Sequence, residues 1–258
     1  MAVYQHDQIV PFKDSALSKK EQVAEMFNHI ARRYDFLNRF LSVGIDRSWR
    51  KKAIRELAGN TPSRILDAAT GTGDMAIMLA KSFPSAQITG IDISDGMLDF
   101  GRQKIAKAKL NGRVTLQRGD SEAINFPEGT FDAVTVAFGV RNFQSLEQGL
   151  TEMRRVLKPG GKLVILEFSC PRNSFFLPLY KVYLRYVAPG IGKMVSGNGH
   201  AYQYLNDSVN AFPEGQAMLE ILEKTGFVHS YQKKLSLGIC SIYCGNQKDF
   251  SASPPLAH

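Results

Sequence analysis

The chain is predicted to be an α/β protein: a seven-stranded, mostly parallel sheet with helices on both faces and an antiparallel pair of strands at one edge. Three observations predict it. Short runs rich in Ile and Val alternate with amphipathic helical segments from about residue 64 to residue 168, the pattern of crossover units in a parallel sheet. The run Ile65-Leu66-Asp67-Ala68-Ala69 leads through Thr70-Gly71-Thr72-Gly73-Asp74 into a helical pattern, and the next strand ends on Asp92, 25 positions after Asp67. The last two apolar runs, near 227–234 and 238–245, have no helix between them and are expected to pair antiparallel.

Residues 1–18 are polar, mixed and aperiodic and are expected to form a mobile tail. From Glu21 onward Val23, Met26, Phe27, Ile30, Tyr34 and Leu37 recur at helical spacing, predicting a helix to about Phe40. A second is predicted from near Asp46 past Trp49 to about Leu57, so residues 19–60 form a helical lid ahead of the sheet. Residues 61–248 form the main domain, with strands near 64–69, 87–92, 113–118, 132–138 and 162–168, and helices near 73–82, 95–109 and 146–157. The last of these begins with Ser145 as cap and Gln148 three residues on, and buries Leu146, Leu150, Met153 and Leu157. A further helix carries Met218, Ile221 and Leu222 and stops at Gly226. An insertion at about 170–210 breaks the alternation, with a dense apolar-aromatic run from Phe175 to Val187 followed by four glycines. Residues 249–258 are a C-terminal tail.

Composition bounds the class. At 258 residues, 44% hydrophobic and 22% charged, the protein has enough material for a sizeable core. No apolar run spans a bilayer and the N-terminus has no signal-peptide core, so a cytoplasmic protein is expected. Cys170, Cys240 and Cys244 read as reduced core thiols, and no metal site is expected. The net charge of +8 permits an anionic partner.

Gly71 and Gly73 let the backbone turn tightly, and Asp92 sits where a carboxylate binds both hydroxyls of a ribose. With Ala76, the two glycines satisfy the spacing of a dinucleotide site, and S-adenosylmethionine sites share the arrangement. Asp67 and Asp74 tip the balance: two carboxylates beside the turn repel a pyrophosphate and favour a sulfonium and an amino group. The downstream succession Gly119-Asp120-Ser121-Glu122-Ala123, Phe126-Pro127-Glu128-Gly129-Thr130-Phe131-Asp132, then Val156-Leu157-Lys158-Pro159-Gly160-Gly161 is that of the class I methyltransferase fold.

Three segments carry a narrower resemblance: Met26 to Asp35, Asn38 to Arg50, and Ala137-Phe138-Gly139-Val140-Arg141-Asn142. Over about residues 20–247 the protein resembles the quinone C-methyltransferases that act on demethylmenaquinol and 2-polyprenyl-6-methoxybenzoquinol. The resemblance implies S-adenosylmethionine as cofactor. It implies that Thr72 lies in the turn holding the methionine part, that Asp92 binds the ribose, and that Asp120 with Ser121 faces the adenine edge. Relatives often have Ser where this protein has Ala137, so a polar contact there is not carried over. The acceptor implied is a polyprenylated hydroquinone, with demethylmenaquinol favoured over the benzoquinol. A basic surface would let the enzyme rest on anionic lipid at the inner face of the cell membrane.

The acceptor carbon becomes nucleophilic when the neighbouring hydroxyl ionises, and a free phenol titrates near ~10. Arg141, just after the fourth strand, is the candidate to stabilise that phenolate or orient a water, with Asn142 as hydrogen-bond partner. His200 and Tyr202 are weaker candidates for acceptor contacts, and Tyr34 for closing over the cofactor. A nucleic-acid methyltransferase is the first rival. Base-amine enzymes carry Asn/Asp-Pro-Pro-aromatic where this protein has Ala137-Phe138-Gly139-Val140, and no nucleic-acid partner is expected. A dinucleotide oxidoreductase and a non-catalytic cofactor-binding regulator are the others.

Overall fold

A computed structural model describes residues 4–42, 44–59, 61–169 and 200–249. The strands are β1 (Arg64–Ala68), β2 (Gln87–Asp92), β3 (Val114–Arg118), β4 (Phe131–Ala137), β5 (Leu157–Phe168), β6 (Val228–Leu235) and β7 (Cys240–Asn246). The described helices are α1 (Lys19–Leu41), α2 (Asp46–Arg55), α3 (Asp74–Ser82), α4 (Asp95–Lys107), α5 (Leu146–Val156), α6 (His200–Ala211) and α7 (Gln216–Lys224). The sheet runs in the order β3-β2-β1-β4-β5-β7-β6, parallel except where β7 pairs antiparallel with β5 and β6.

Burial on both faces explains why β1 and β4 carry adjacent apolar residues, Ile65-Leu66 and Ala133-Val134, instead of a strict alternation with polar ones. Side chains alternate between faces. Ile65 points into a core shared with Trp49, Ile54, Leu57 and Leu79 of α2, the turn after it and α3. Leu66 points the other way, into a core with Leu146, Leu150 and Met153 of α5 and Met218 of α7. Gly90 on β2 has no room for a side chain: a Cβ there would lie 2.4 Å from the Leu116 side chain.

Three expectations need correcting. β5 starts at Leu157, not near 162, because Leu157 pairs with Phe131 before Pro159-Gly160-Gly161 shifts the register to Ala133–Lys162. Residues 200–211, expected within the insertion, form α6; Tyr204 there packs on Val23 and Met26 of α1. The remainder of the insertion, 170–199, lies outside the described residues, as do 250–258.

The third concerns the N-terminus, where residues 4–18 are docked in place of the expected mobile tail. A 3-10 turn at Gln5–Gln8 buries His6 completely, with its ring edge-on to Phe212. Tyr4 donates to Glu147 at 2.6 Å, and Lys19 Nζ donates to the His6 carbonyl at 2.6 Å. These partners sit on distant elements, so no local period announces the strap.

α1 crosses the carboxyl ends of the strands and is fastened along its length. Ser18 and Glu21 form a capping box at its start, with Ser18 N donating to Glu21 Oε2 at 2.8 Å. Asn28 Oδ1 accepts from Ser94 Oγ at 2.8 Å and Gly96 N at 2.9 Å, holding α1 to the start of α4.

Candidate active site

The backbone leaves β1 in opposite directions on its two sides, so a crevice opens beyond the carboxyl ends of β1 and β4, where ligands bind in such sheets. A cleft of about 610 Å³, partly open to solvent, lies there. Ala69 and Phe138, at the ends of those strands, both line it and both have left-handed backbones, with φ of 49° and 60°. Strain of this kind concentrates at functional sites.

Asp92 is held beside the glycine turn by two backbone amides, accepting from Gly71 N at 2.8 Å and Ser94 N at 2.9 Å. A carboxylate has about four lone-pair sites, so acceptors are left over for a pair of ribose hydroxyls. Burial raises the Asp92 carboxyl, while these amide hydrogen bonds oppose the rise. Gly71, at φ +57°, forms the floor; a Cβ there would stand 3.9 Å from the Tyr34 ring. Tyr34 packs edge-on against Phe27, and both reach into the cleft from α1. At the far rim Asp120 accepts from Lys20 Nζ at 2.6 Å, with Ser121 buried beside it. Three carboxylates (Asp92, Asp120, Glu122) and one ammonium (Lys20) line the cleft. That balance disfavours a pyrophosphate and accepts a cation.

A second, smaller cavity shares Tyr34, Ala69, Gly71 and Ala137 with the first and continues from it beneath the turn. Thr72 lines this one, but its hydroxyl is already engaged, donating to Asp35 Oδ1 at 2.6 Å and accepting from Lys104 Nζ at 3.1 Å. Lys104 also binds Asp35 and Asp74, so the Asp74 charge is offset inside the protein. Asp67 is different: it is buried, accepts from Thr70 Oγ1 at 2.6 Å and Thr135 Oγ1 at 2.7 Å, and lines the cavity. Burial pushes its carboxyl up to about 6, against the two hydroxyls, which draw it down. Gly73 lines neither cavity; at φ +75° it shapes the turn, facing Leu116.

Arg141 does not face the cleft as expected. It is buried, its Nη1 donating to Glu167 Oε1 at 2.8 Å and to the Phe138 carbonyl at 2.6 Å. The partner carboxylate lies on β5, which pairs with β4 just before Arg141, and the ion pair closes there. Asn142 does line the cleft: Nδ2 donates to the same Phe138 carbonyl at 3.4 Å, and Oδ1 has no hydrogen-bond partner. His200 opens α6, but its side chain and that of Tyr202 lie outside the described residues. Lys20 and Arg50, both lining residues, were not singled out in the sequence; Lys20 meets Asp120 a hundred residues away, beyond any local signal, while Arg50 pairs with Asp46 within its own helix.

A glycine turn flanked by Asp67, Asp74 and Asp92 at the carboxyl ends of a sheet of this order defines a class I S-adenosylmethionine-dependent methyltransferase. The solved structure of such an enzyme from Thermotoga maritima, described as a possible histamine N-methyltransferase, superposes with a TM-score of 0.58. It covers 87% of this protein and 99% of its own length at 18% identity, a likeness that speaks for the fold alone. More specifically, residues 15–247 match the ubiE/COQ5 methyltransferase family, and the chain belongs to it. The demethylmenaquinone methyltransferase of Bacteroides fragilis is 43% identical over 240 residues, covering 93% of this protein and 98% of its own length. The ubiquinone/menaquinone biosynthesis C-methyltransferase UbiE of Geobacter sulfurreducens is 46% identical, covering 89% and 90%.

Proposed function

We propose that this enzyme transfers a methyl group to a ring carbon of demethylmenaquinol, giving menaquinol, with the benzoquinol of ubiquinone biosynthesis as the alternative acceptor. Near-complete alignment with the Bacteroides fragilis enzyme carries the naphthoquinol reading, and the Geobacter sulfurreducens relative, whose name covers both quinones, keeps the second open. S-adenosylmethionine, when bound, supplies a methyl group already activated on a sulfonium. Gly71, Thr72 and Gly73 would shape the turn under it, Asp92 would take the ribose, and Asp120 with Ser121 the adenine edge.

What the protein then has to do is orient an aromatic diol and ease loss of its hydroxyl proton. Alignment of two bound reactants supplies up to about 7–11 kcal/mol. Phe27, Phe138 and Phe143 give the cleft an apolar wall for a ring, and the unpartnered Asn142 Oδ1 is an acceptor for the phenolic O–H. Arg141 acts at one remove. Its guanidinium and the Asn142 amide share the Phe138 carbonyl, so Arg141 positions Asn142. Mass spectrometry of quinones from cells lacking the protein tests the function: a precursor short of one methyl is expected, and an unchanged quinone profile overturns it.

Membrane contact is part of the same reading. Among the described residues no helix is long and apolar enough to cross a membrane. Residues 32–55 hold eight Lys or Arg against two Asp, and both acids are ion-paired. Phe36, Ile45 and Leu237 are 58%, 44% and 68% exposed, and a hydrogen bond of 2.8 Å from Trp49 to Ser236 brings the β6–β7 tip beside α2. Exposed apolar side chains on a segment with a large excess of cations suit the headgroup region of an anionic bilayer, where the isoprenoid tail of the acceptor resides.

A further inference from the structure

Thr72 stands between Gly71 and Gly73, both in left-handed backbone, and is 3% exposed. Glycine imposes little on its own conformation, so the path of this turn depends on what Thr72 is tied to. Its hydroxyl closes a ring of three hydrogen bonds. It donates to Asp35 Oδ1 at 2.6 Å and accepts from Lys104 Nζ at 3.1 Å, while Lys104 donates to Asp35 Oδ2 at 2.7 Å. A hydroxyl has one hydrogen to give, and Asp35 takes it. The three residues come from separate elements: the lid helix α1, the turn and α4. Lys104 extends the ring to Asp74 at the start of α3. Behind the turn α4 leaves no slack, since a Cβ on Gly101 would lie 3.2 Å from the Thr72 carbonyl carbon. Tyr34 precedes Asp35 in the chain and borders both cavities at Gly71, so fastening Asp35 to the turn also fixes Tyr34 over the site.

We propose that Asp35 is a positioning residue that locks the lid to the glycine turn, the Thr72 hydroxyl serving as its latch and not as a ligand of the cofactor. The inference rests on the cofactor reading above and adds that the turn keeps its binding geometry only with α1 fastened to it. Hydrogen bonds to an ionised carboxylate are roughly twice as strong as neutral ones, which lets one Asp–Thr contact join two elements. Lid and turn then move as a unit, and the cofactor leaves only when the ring opens.

Calorimetry with S-adenosylhomocysteine on the full chain tests this without turnover. Thr72→Val removes the hydroxyl and keeps the Asp35–Lys104 pair; it should weaken binding about tenfold and speed release in stopped-flow displacement by about as much. Thr72→Ser keeps the hydroxyl and should stay within about threefold of the parent. Asp35→Ala should weaken binding about as much as Thr72→Val, and the double variant less than about threefold more, because one contact can be lost only once. Asp35→Asn, which keeps the shape and removes the charge, stands in where Asp35→Ala fails to fold, with a loss of at least about threefold expected. Undiminished affinity in the folded Asp35 variant would make the hydroxyl a ligand and overturn the lock. So would an additive loss of about a hundredfold in the double variant, equal weakening by Ser and Val at residue 72, or an unchanged release rate. If the parent binds no S-adenosylhomocysteine, the cofactor reading itself fails. If parent and variants bind it alike, only the lock does.

Discussion

Replacing Arg141 by Met should cost far more in stability than a surface Arg would, and the structure sets the size. Glu167 is fully buried, and Arg141 supplies its basic partner at 2.8 Å. Methionine fills similar space but leaves the carboxylate with two backbone donors, Phe168 N at 2.9 Å and the residue-141 amide at 3.4 Å. Breaking one side of a buried ion pair costs about 3–5 kcal/mol, because the other charge is left uncompensated. For a protein of this length each kcal/mol moves the midpoint about 2–4 °C, so Arg141→Met should melt roughly 6–20 °C lower by calorimetry. Adding Glu167→Leu removes the stranded charge and should recover most of that loss. The double variant then isolates the role in the reaction. It should bind S-adenosylhomocysteine within about twofold of the parent, yet turn over quinol at least tenfold more slowly, about 1.4 kcal/mol in barrier, because Asn142 has lost its neighbour at the Phe138 carbonyl. A single variant that melts within 2 °C of the parent would refute the ion-pair reasoning. Undiminished turnover in a stable double variant would remove Arg141 from the mechanism.

Other outcomes follow from the same contacts. Asp92→Asn sets an amide N–H₂ against the N–H of Gly71 or Ser94, and should lower S-adenosylhomocysteine affinity by about 2–4 kcal/mol in calorimetry; affinity within threefold would exclude Asp92 as the ribose ligand. Asp67 has a folded pKa of about 6, above its unfolded value, so its contribution to stability is present below about pH 4 and is lost as pH rises through 6. Asp67→Asn should therefore be the more stable protein at pH 8, by up to about 3 kcal/mol in chemical unfolding, and this advantage should shrink toward pH 4. His6 runs the opposite way: burial drives it down to about 3, so its contribution is full above about pH 6.5 and fades as pH falls. His6→Phe should gain on the parent in thermal unfolding between pH 7 and 5, and a constant difference would show that the imidazole is not buried neutral. Leu237→Asp combined with Arg47→Glu and Lys51→Glu should abolish co-sedimentation with phosphatidylglycerol vesicles while leaving cofactor affinity intact; equal pelleting with neutral vesicles would sink the lipid face.

Legibility followed the range of the interactions. The alternation of strands and helices, the glycine turn and Asp92 rest on periodicities of a few residues, and β1, β2, β4 and α3 to α5 form within a residue or two of where those patterns place them. The cleft-facing positions Gly71, Asp92, Asp120, Ser121 and Asn142 were legible too, since each follows a strand at the carboxyl edge of the sheet. The burial of Arg141 was not legible because its partner, Glu167, lies 26 residues away on the next strand. Residues 4–18 looked like a tail because Glu147 and Phe212, which hold them, are on α5 and just after α6.

The amino-acid sequence by itself determined which elements form, the order in which they cross the sheet, and which acids end the strands, because steric preference, burial pattern and turn chemistry act between near neighbours. Tertiary structure decided what those acids and bases are for. Asp74 was neutralised by Lys104, Arg141 by Glu167, and Lys20 was set on Asp120, while Arg50 and Asp67 were brought from separate elements to one cavity. A charge acts through space with a strength set by distance and burial, and both exist only once the protein has folded.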